Sequence, residues 1–163
     1  MKQNKTVDQE IELTADATNR IAQDLAVILS DTYILYVKTQ NFHWNVTDPR
    51  FYALHKMLEE QYEELAEATD EIAERIRMIG HRSPAGLRQF LEMGTLEDSP
   101  NDLSGNQMLE QLLRDHDTII RNLRQKIEEF IDLDDQGSGD LLIQRLRAHE
   151  KTAWMLRSHL KNI

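Results

Sequence analysis

Apolar residues recur at every third or fourth position along most of this chain, which is the spacing of amphipathic helices. Residues 15–42 keep this spacing without a glycine or proline, so they predict a first long helix. The segment NVTDP then breaks the pattern, with Asp48 as a candidate N-cap and Pro49 at the first helical position. A second long helix is predicted over residues 49–79, where Gly80 marks its end.

The second half of the chain shows the same periodicity. Residues 104–133 predict a third long helix, because Ser104 and Gln107 have the spacing of a capping box at its start. DDQGSGD forms the last turn, and a fourth long helix is predicted over residues 140–160. In the connection before the third long helix, AGLRQFLEMG predicts one short helix. The predicted fold class is therefore all-α: a ferritin-like four-helix bundle with a short extra helix in the long crossover between helices 2 and 3.

The helical stripes also predict which side chains form the core. Val37 belongs to the inner stripe of the first helix, Gln61 to that of the second and Ile131 to that of the third. His116 and His149 lie within the apolar stripes of the last two long helices. A histidine in such a stripe is more often a hydrogen-bonded core residue than a ligand, so both are predicted to be buried and hydrogen-bonded.

Composition limits the classes of protein that fit this pattern. A chain of 163 residues suffices for one compact domain, predicted over residues 15–163 after a short N-terminal tail of residues 1–14. The formal net charge of −10 argues against a broad nucleic-acid surface and suits a protein that attracts cations. With no cysteine, neither a disulfide nor a thiolate metal site is possible. No signal-peptide core and no run of 18 apolar residues exist, so a soluble cytoplasmic protein without a membrane span is expected.

A stripe of residues with metal-ligand side chains follows one side of the second helix. At about 100° per residue, Glu59, Asp70 and Glu74 lie within about 100° of His55 and away from the apolar stripe. One interpretation is a solvated face, since carboxylates are common on exposed surfaces. The other is metal binding, because the residues form two pairs, each with i, i+4 spacing, and each pair could hold a cation.

One chain cannot close a single site from both pairs. Their centres are 15 residues apart, or about 22 Å along the helix. If two copies of the helix cross antiparallel about a two-fold axis, the His55/Glu59 pair of each copy meets the Asp70/Glu74 pair of the other. Such a contact would form two sites. His43 would join His55 if the WNVTDP turn folds the first two helices together. Imidazole with carboxylates suits Fe(II) better than calcium or structural zinc, and none of the six histidines has the Glu-x-x-His motif of within-chain di-iron bundles.

With these residues the chain resembles the Dps family, the dodecameric mini-ferritins of the ferritin superfamily. The resemblance covers about residues 15–160. It is carried by FHWNVTDPRFYALHKMLEEQYEELAEATDEIAERI and by HEKTAWMLRSHL in the last helix. Its most specific part is His-Trp-Asn, a second histidine twelve residues after the first, and Asp-x-x-x-Glu fifteen residues further on.

The resemblance implies an iron site where two subunits meet. His43, His55 and Glu59 match the ligands that one subunit donates, and Asp70 and Glu74 match those from its two-fold partner. Glu59 stands where many members of the family have aspartate, so a carboxylate remains on a longer side chain.

The resemblance also implies features outside the ligand set. Trp44 matches a tryptophan beside the iron site that acts as an electron donor to reactive intermediates, and the alternative is a bulky plug at the helix end. A hollow shell of twelve subunits is implied, with acidic pores for which Asp135 and Asp140 are the candidates. The implied activity is that of a ferroxidase which oxidises Fe(II), with hydrogen peroxide preferred to dioxygen, stores Fe(III) mineral and protects DNA.

Two other functions compete with this interpretation. One is a nucleoid-associated protein that compacts DNA with a basic tail, but Lys2 and Lys5 are offset by Asp8 and Glu10. DNA binding is therefore predicted to be weak or absent, because phosphate binding needs several cations on one surface. The other is a purely structural helical dimer, against which the His/Asp/Glu spacing argues.

Overall fold

The computed structural model describes residues 12–160, and over this range it contains five helices and no strand. The helices are α1 (Ala15–Asn45), α2 (Phe51–Met78), α3 (Leu87–Met93), α4 (Gly105–Asp132) and α5 (Gln136–Leu160). The predicted all-α bundle with a short helix in its crossover is thus confirmed. Residues 1–11 of the predicted tail lie outside the described residues. No helix in the described range is long and apolar enough to cross a membrane.

Two helical hairpins form the bundle. α1 packs mainly against α2, and α4 packs mainly against α5, while contacts of α1 with α4 and of α2 with α5 join the hairpins. The short connections 46–50 and 133–135 make the helices of each hairpin antiparallel neighbours, and α3 packs on α1. Fully buried side chains from all four long helices fill the core: Leu25, Leu35, Phe42, Leu54, Leu58, Leu65, Leu112, Leu123, Phe130, Leu142 and Leu156.

The second helix begins at Phe51, two residues later than predicted. Arg50 and not Asp48 is the N-cap residue, because Asp48 Oδ1 accepts hydrogen bonds from Arg50 N and Nε, both at 2.8 Å. This local turn competes with helix formation. The same bonds lower the pKa of Asp48 to about 2. Arg50 also donates to Asn106 at 2.6 Å and to the carbonyl oxygen of His159 at 3.0 Å, which attaches the turn to α4 and α5.

The last helix begins at Gln136, four residues before the predicted start at Asp140. Asp135 is the cause of this earlier start. Its Oδ1 accepts from the backbone N of Ser138 at 2.9 Å, and its carbonyl oxygen accepts from the backbone N of Gly139 at 2.9 Å. A capping carboxylate satisfies N–H groups at the helix start, so the first turn stays helical although it contains two glycines.

Polar contacts attach the long crossover to the bundle. The predicted capping box at the start of α4 is present, with Ser104 and Gln107 each accepting from the backbone N–H of the other. Lys38 on α1 is fully buried, and its Nζ donates to Asp115 Oδ2 at 2.7 Å and to the carbonyl oxygen of Glu97 at 2.6 Å. The buried ion pair therefore joins α1 to α4, and the hydrogen bond to Glu97 fixes the crossover on α1.

The predicted core is confirmed at three polar positions and wrong at two apolar ones. Gln61, His116 and His149 are buried, whereas Val37 is 45% exposed and Ile131 is 48% exposed. Helical periodicity places a residue on a face of its helix. It does not reveal how much of that face the neighbouring helices cover, and in this bundle the covered arc is narrower than the apolar stripe.

Candidate metal centre

The turn after α1 brings His43 and His55 into contact. His43 lies in the last turn of α1, and His55 lies in the second turn of α2. Because only residues 46–50 connect the two helices, the imidazole rings stack with centroids 3.8 Å apart and planes inclined by 17°. The expected proximity of the two histidines is confirmed.

Each of these two rings is held by the backbone of the other residue. His43 Nδ1 lies 2.9 Å from the carbonyl oxygen of His55, and His55 Nδ1 lies 2.9 Å from the carbonyl oxygen of His43. A carbonyl oxygen can only accept, so both Nδ1 atoms carry hydrogen. In the neutral rings both Nε2 atoms therefore keep their lone pairs, and this is the tautomer in which histidine binds a metal while its other nitrogen is oriented by a carbonyl.

Glu59 adds a carboxylate one turn after His55. Its side chain is 29% exposed and forms an ion pair with Lys56, which is 52% exposed. The hydrogen bond from Lys56 is the main cause that lowers the pKa of Glu59. An exposed ammonium group is a weak competitor for a carboxylate, so a divalent cation beside the imidazoles could take the place of Lys56.

Asp70 and Glu74 lie far from this cluster. They are exposed on α2, about 22 Å along the helix from the His55/Glu59 pair. Within residues 12–160, neither side chain has a hydrogen bond or an ion pair. In the same range no group of three or more histidine, aspartate or glutamate side chains is arranged to hold a metal ion. The five-residue ligand set therefore stays a prediction that needs a second subunit.

Tyr62 contacts His43, whereas Trp44 pairs with neither His43 nor His55. Trp44 is 66% exposed and pairs with no other aromatic ring of the described residues. Tyr62 packs edge-on against His43, with ring centroids 5.1 Å apart. The sequence carries a signal for this contact, because Tyr62 lies seven residues after His55 and three after Glu59, on the same face of α2.

The two pore candidates have different environments. Asp135 is 3% exposed, and its Oδ1 also forms a 2.6 Å ion pair with Arg75. Its Oδ2 accepts from the hydroxyl of Ser138 at 2.5 Å. The capping of α5 thus explains Asp135 without a pore. Asp140 is exposed and accepts one hydrogen bond, from Gln144 at 2.7 Å, so it is the better candidate of the two.

The second histidine pair lies inside the bundle and is bonded differently. Nδ1 of His116 and Nδ1 of His149 are 2.8 Å apart, and Arg145 Nη2 lies 3.5 Å from His149 Nε2. Because an arginine can only donate, His149 accepts at Nε2 and donates through Nδ1 to His116. His116 then carries its hydrogen on Nε2, which has no partner in the described part of the chain. Arg145 is itself bonded to Glu64 of α2.

Burial makes this inner pair hard to protonate. Desolvation, with the charge of Arg145 as the second cause, lowers the pKa of His116 to about 3. Desolvation is also the main cause that lowers the pKa of His149. The prediction that both are buried, hydrogen-bonded core residues is confirmed.

Comparison with known proteins agrees with the fold. The family model for the ferritin-like domain matches residues 22–163. A low temperature-induced protein of Nostoc sp. is 41% identical over 145 residues, which cover 88% of this chain and 79% of that protein. DNA protection during starvation protein 2 of Bacillus anthracis is 36% identical over 81% of this chain and 90% of its own length. The solved structure of DpsC from Streptomyces coelicolor superposes with a TM-score of 0.91 at 31% identity, covering 95% of this chain and 92% of that one.

The five-helix architecture and the family match define a ferritin-like protein. More narrowly, the chain belongs to the Dps family, since Dps proteins are found both among its sequence relatives and among its structural neighbours.

Proposed function

We propose that this protein is an iron-storing ferroxidase that oxidises Fe(II) at sites shared by two subunits. The observation that carries the proposal is the pair of reciprocal bonds between His43 and His55. These bonds leave two Nε2 lone pairs free, one helical turn from Glu59, and imidazole with carboxylate is a donor set that suits Fe(II).

The rest of the proposed site comes from a second copy of the chain. His43, His55 and Glu59 of one subunit would bind iron together with Asp70 and Glu74 of the partner subunit. The separation of about 22 Å along α2 supports this arrangement, because one straight helix cannot bend its two ends onto one ion. An isologous contact between two α2 helices would build two identical sites.

The residues have distinct roles in the proposed reaction. The two neutral imidazoles bind Fe(II) without neutralising its charge, and the carboxylates stabilise the Fe(III) product. Glu59 would exchange Lys56 for iron. Two Fe(II) give one electron each to a peroxide, whose O–O bond breaks, and two protons complete two molecules of water. The preference for hydrogen peroxide over dioxygen follows from the family resemblance.

Storage would take place in a hollow shell of twelve subunits, as the resemblance implies. Its interior would hold the ferric mineral, and Asp140 is the residue proposed to line the entry pores. Trp44 is proposed as a second electron donor near the site, where its exposure in the isolated chain leaves it free to be covered by a partner subunit.

Protection of DNA would then be chemical. The name of the Bacillus anthracis relative refers to DNA protection, and consumption of Fe(II) together with peroxide removes both reactants that generate hydroxyl radicals. The net charge of −10 opposes DNA binding, since charge repulsion acts over about 8 Å at physiological salt. A gel shift at physiological salt should be absent, while nicking of plasmid DNA by Fe(II) and peroxide should be suppressed. A salt-resistant shift that is lost on deletion of residues 1–10 would instead make DNA binding a main function.

Mixed dimers test the shared site directly. His55→Ala and Asp70→Ala proteins should each oxidise Fe(II) poorly. In a hybrid of the two, one site collects both changes and the other has none, so half of the wild-type sites should return. Tagged subunits verify the hybrid, and ferric absorbance after anaerobic Fe(II) loading and peroxide addition gives the activity. A verified hybrid that stays inactive would exclude the shared site.

A further inference from the structure

Three of the four tyrosines form a continuous row of rings that ends at the candidate metal centre. Tyr62 is in edge contact with His43 at 5.1 Å, and Tyr36 is in edge contact with Tyr62 at 6.2 Å. Tyr33 follows, with its centroid 5.8 Å from that of Tyr36. All of these separations lie in the range of direct aromatic contact, about 4.5–7 Å.

The row follows the geometry of two adjacent helices. Tyr33, Tyr36 and His43 lie on one stripe of α1, at i, i+3 and i+10, so the row extends about 15 Å along the helix. Tyr62 from α2 fills the gap in that stripe between Tyr36 and His43. Gln40, the α1 residue inside this gap, donates a hydrogen bond to the Tyr36 hydroxyl at 3.3 Å.

The three tyrosines are chemically suited to lose a hydrogen atom. Each is only partly buried, so its phenol can exchange protons with solvent. A tyrosine side chain carries a phenolic O–H bond, so Tyr62 has a hydrogen atom to donate.

We propose that Tyr62, Tyr36 and Tyr33 form a relay that takes one oxidising equivalent away from the iron site and stores it. The relay rests on the proposed ferroxidase function, for which it provides an electron donor when only one Fe(II) is bound. Packing alone explains three partly buried rings, but it does not require an unbroken row of phenols that begins at a histidine of the site.

The proposed steps balance in atoms and electrons. A single Fe(II) gives one electron to hydrogen peroxide, whose O–O bond breaks to yield Fe(III), hydroxide and a hydroxyl radical. Tyr62 gives the hydrogen atom of its phenol to that radical, so water forms and a phenoxyl radical remains. An electron from Tyr36 then reduces Tyr62, with one proton lost to solvent and one taken up from it, and Tyr33 repeats the step. A second Fe(II) later returns one electron, and one proton restores the phenol.

Freeze-quench electron paramagnetic resonance tests the relay on the assembled protein. Wild type is loaded without oxygen with less than one Fe(II) per site and mixed with excess hydrogen peroxide. We expect a tyrosyl radical whose hyperfine pattern narrows when ring-deuterated tyrosine is incorporated. Tyr62→Phe, which keeps the ring packing, should lose most of this signal and release more hydroxyl radical to a spin trap. Tyr36→Phe should keep a radical confined to Tyr62, with a changed hyperfine pattern.

The fourth tyrosine provides the matched control. Tyr52 is 76% exposed and belongs to no ring pair of the described residues, so Tyr52→Phe should leave the signal unchanged. An equal signal in Tyr62→Phe and wild type, or a loss confined to Tyr52→Phe, would overturn the relay.

Ferric absorbance in the same samples separates the two proposals. Normal ferric product in wild type without any tyrosyl signal would overturn the relay alone. Absence of ferric product in wild type would overturn the ferroxidase function and the relay with it.

Discussion

The pair His43/His55 between α1 and α2 and the pair His116/His149 between α4 and α5 contain the same side chains in different hydrogen-bond arrangements. In the outer pair, which is His43 and His55, each Nδ1 donates to a backbone carbonyl, so both Nε2 atoms are available to a ligand. In the inner pair the two Nδ1 atoms bond to each other at 2.8 Å, and one Nε2 faces Arg145. The ability of a histidine to bind metal is thus decided by the partner of its other nitrogen.

The two pairs also differ in the cation beside them. Lys56, next to the outer pair, is half exposed and pairs with a partly exposed glutamate. Arg145, next to the inner pair, is 5% exposed and cannot be displaced without leaving a buried charge unpaired. If the outer pair binds iron as proposed, the ion would displace Lys56 more easily than Arg145.

The largest expected effect is on the rate of Fe(II) oxidation, which should depend on the outer histidine pair and not on the inner one. His55→Gln removes a proposed ligand and should lower the initial rate of peroxide-dependent Fe(II) oxidation by at least about 100-fold, the upper end for changes near metal ligands. His149→Gln, checked for folding by circular dichroism, should keep the wild-type rate. Stopped-flow ferric absorbance measures both. Equal losses in the two variants would make the inner pair part of the iron site.

Acid should act on the fold through the inner pair. The pKa of His116 is about 3 in the folded chain, against 6.5 for an ordinary histidine, so the unfolded chain binds the proton more tightly. Stability is therefore nearly complete above about pH 6.5 and falls as the pH drops towards 3, by roughly 2 kcal/mol between pH 6.5 and 4.5 for this one group. Urea unfolding at fixed protein concentration measures the slope.

The matched variant for this experiment replaces both histidines, as His116→Leu with His149→Leu. Its stability should depend less steeply on pH, because two groups that resist protonation have been removed. An unchanged slope would mean that carboxylates alone cause the acid sensitivity.

Metal should stabilise the fold through the outer pair only. At about 100 times its dissociation constant, Fe(II) bound to the folded state adds about 2.7 kcal/mol to the free energy of unfolding. Anaerobic unfolding with and without Fe(II) should show this gain in wild type and in His149→Gln. The gain should vanish in His55→Gln and on addition of a chelator. Full stabilisation of His55→Gln would place the metal elsewhere.

The smallest expected effect concerns the exposed cation. Lys56→Ala frees the carboxylate of Glu59, and since exposed ion pairs contribute little to stability, Fe(II) affinity should rise by at most about fivefold. Lys151→Ala changes an exposed lysine on α5 and should have no effect. Anaerobic Fe(II) titration measures both affinities. A loss of affinity in Lys56→Ala would show that the lysine supports the site.

Helical periodicity was sufficient to predict all five helices but not the residue at which each of them begins. α2 begins later because Asp48 bonds to Arg50 in a local turn. α5 begins earlier because Asp135 caps it while pairing with Arg75. Periodicity reports which face of a helix is apolar, whereas a helix start depends on a few side-chain hydrogen bonds whose partners lie several residues or a whole helix away.

The sequence by itself determined the residue types of the candidate site, since the spacing of His43, His55 and Glu59 is visible without coordinates. Tertiary structure decided which of the histidines have a free nitrogen, because that depends on a carbonyl oxygen contributed across the turn. It also decided that Tyr62 touches His43, a contact between two helices that neither helix specifies alone. Short-range spacing follows from helix geometry within one segment, but the state of an imidazole nitrogen is set by an atom that only folding brings within hydrogen-bond distance.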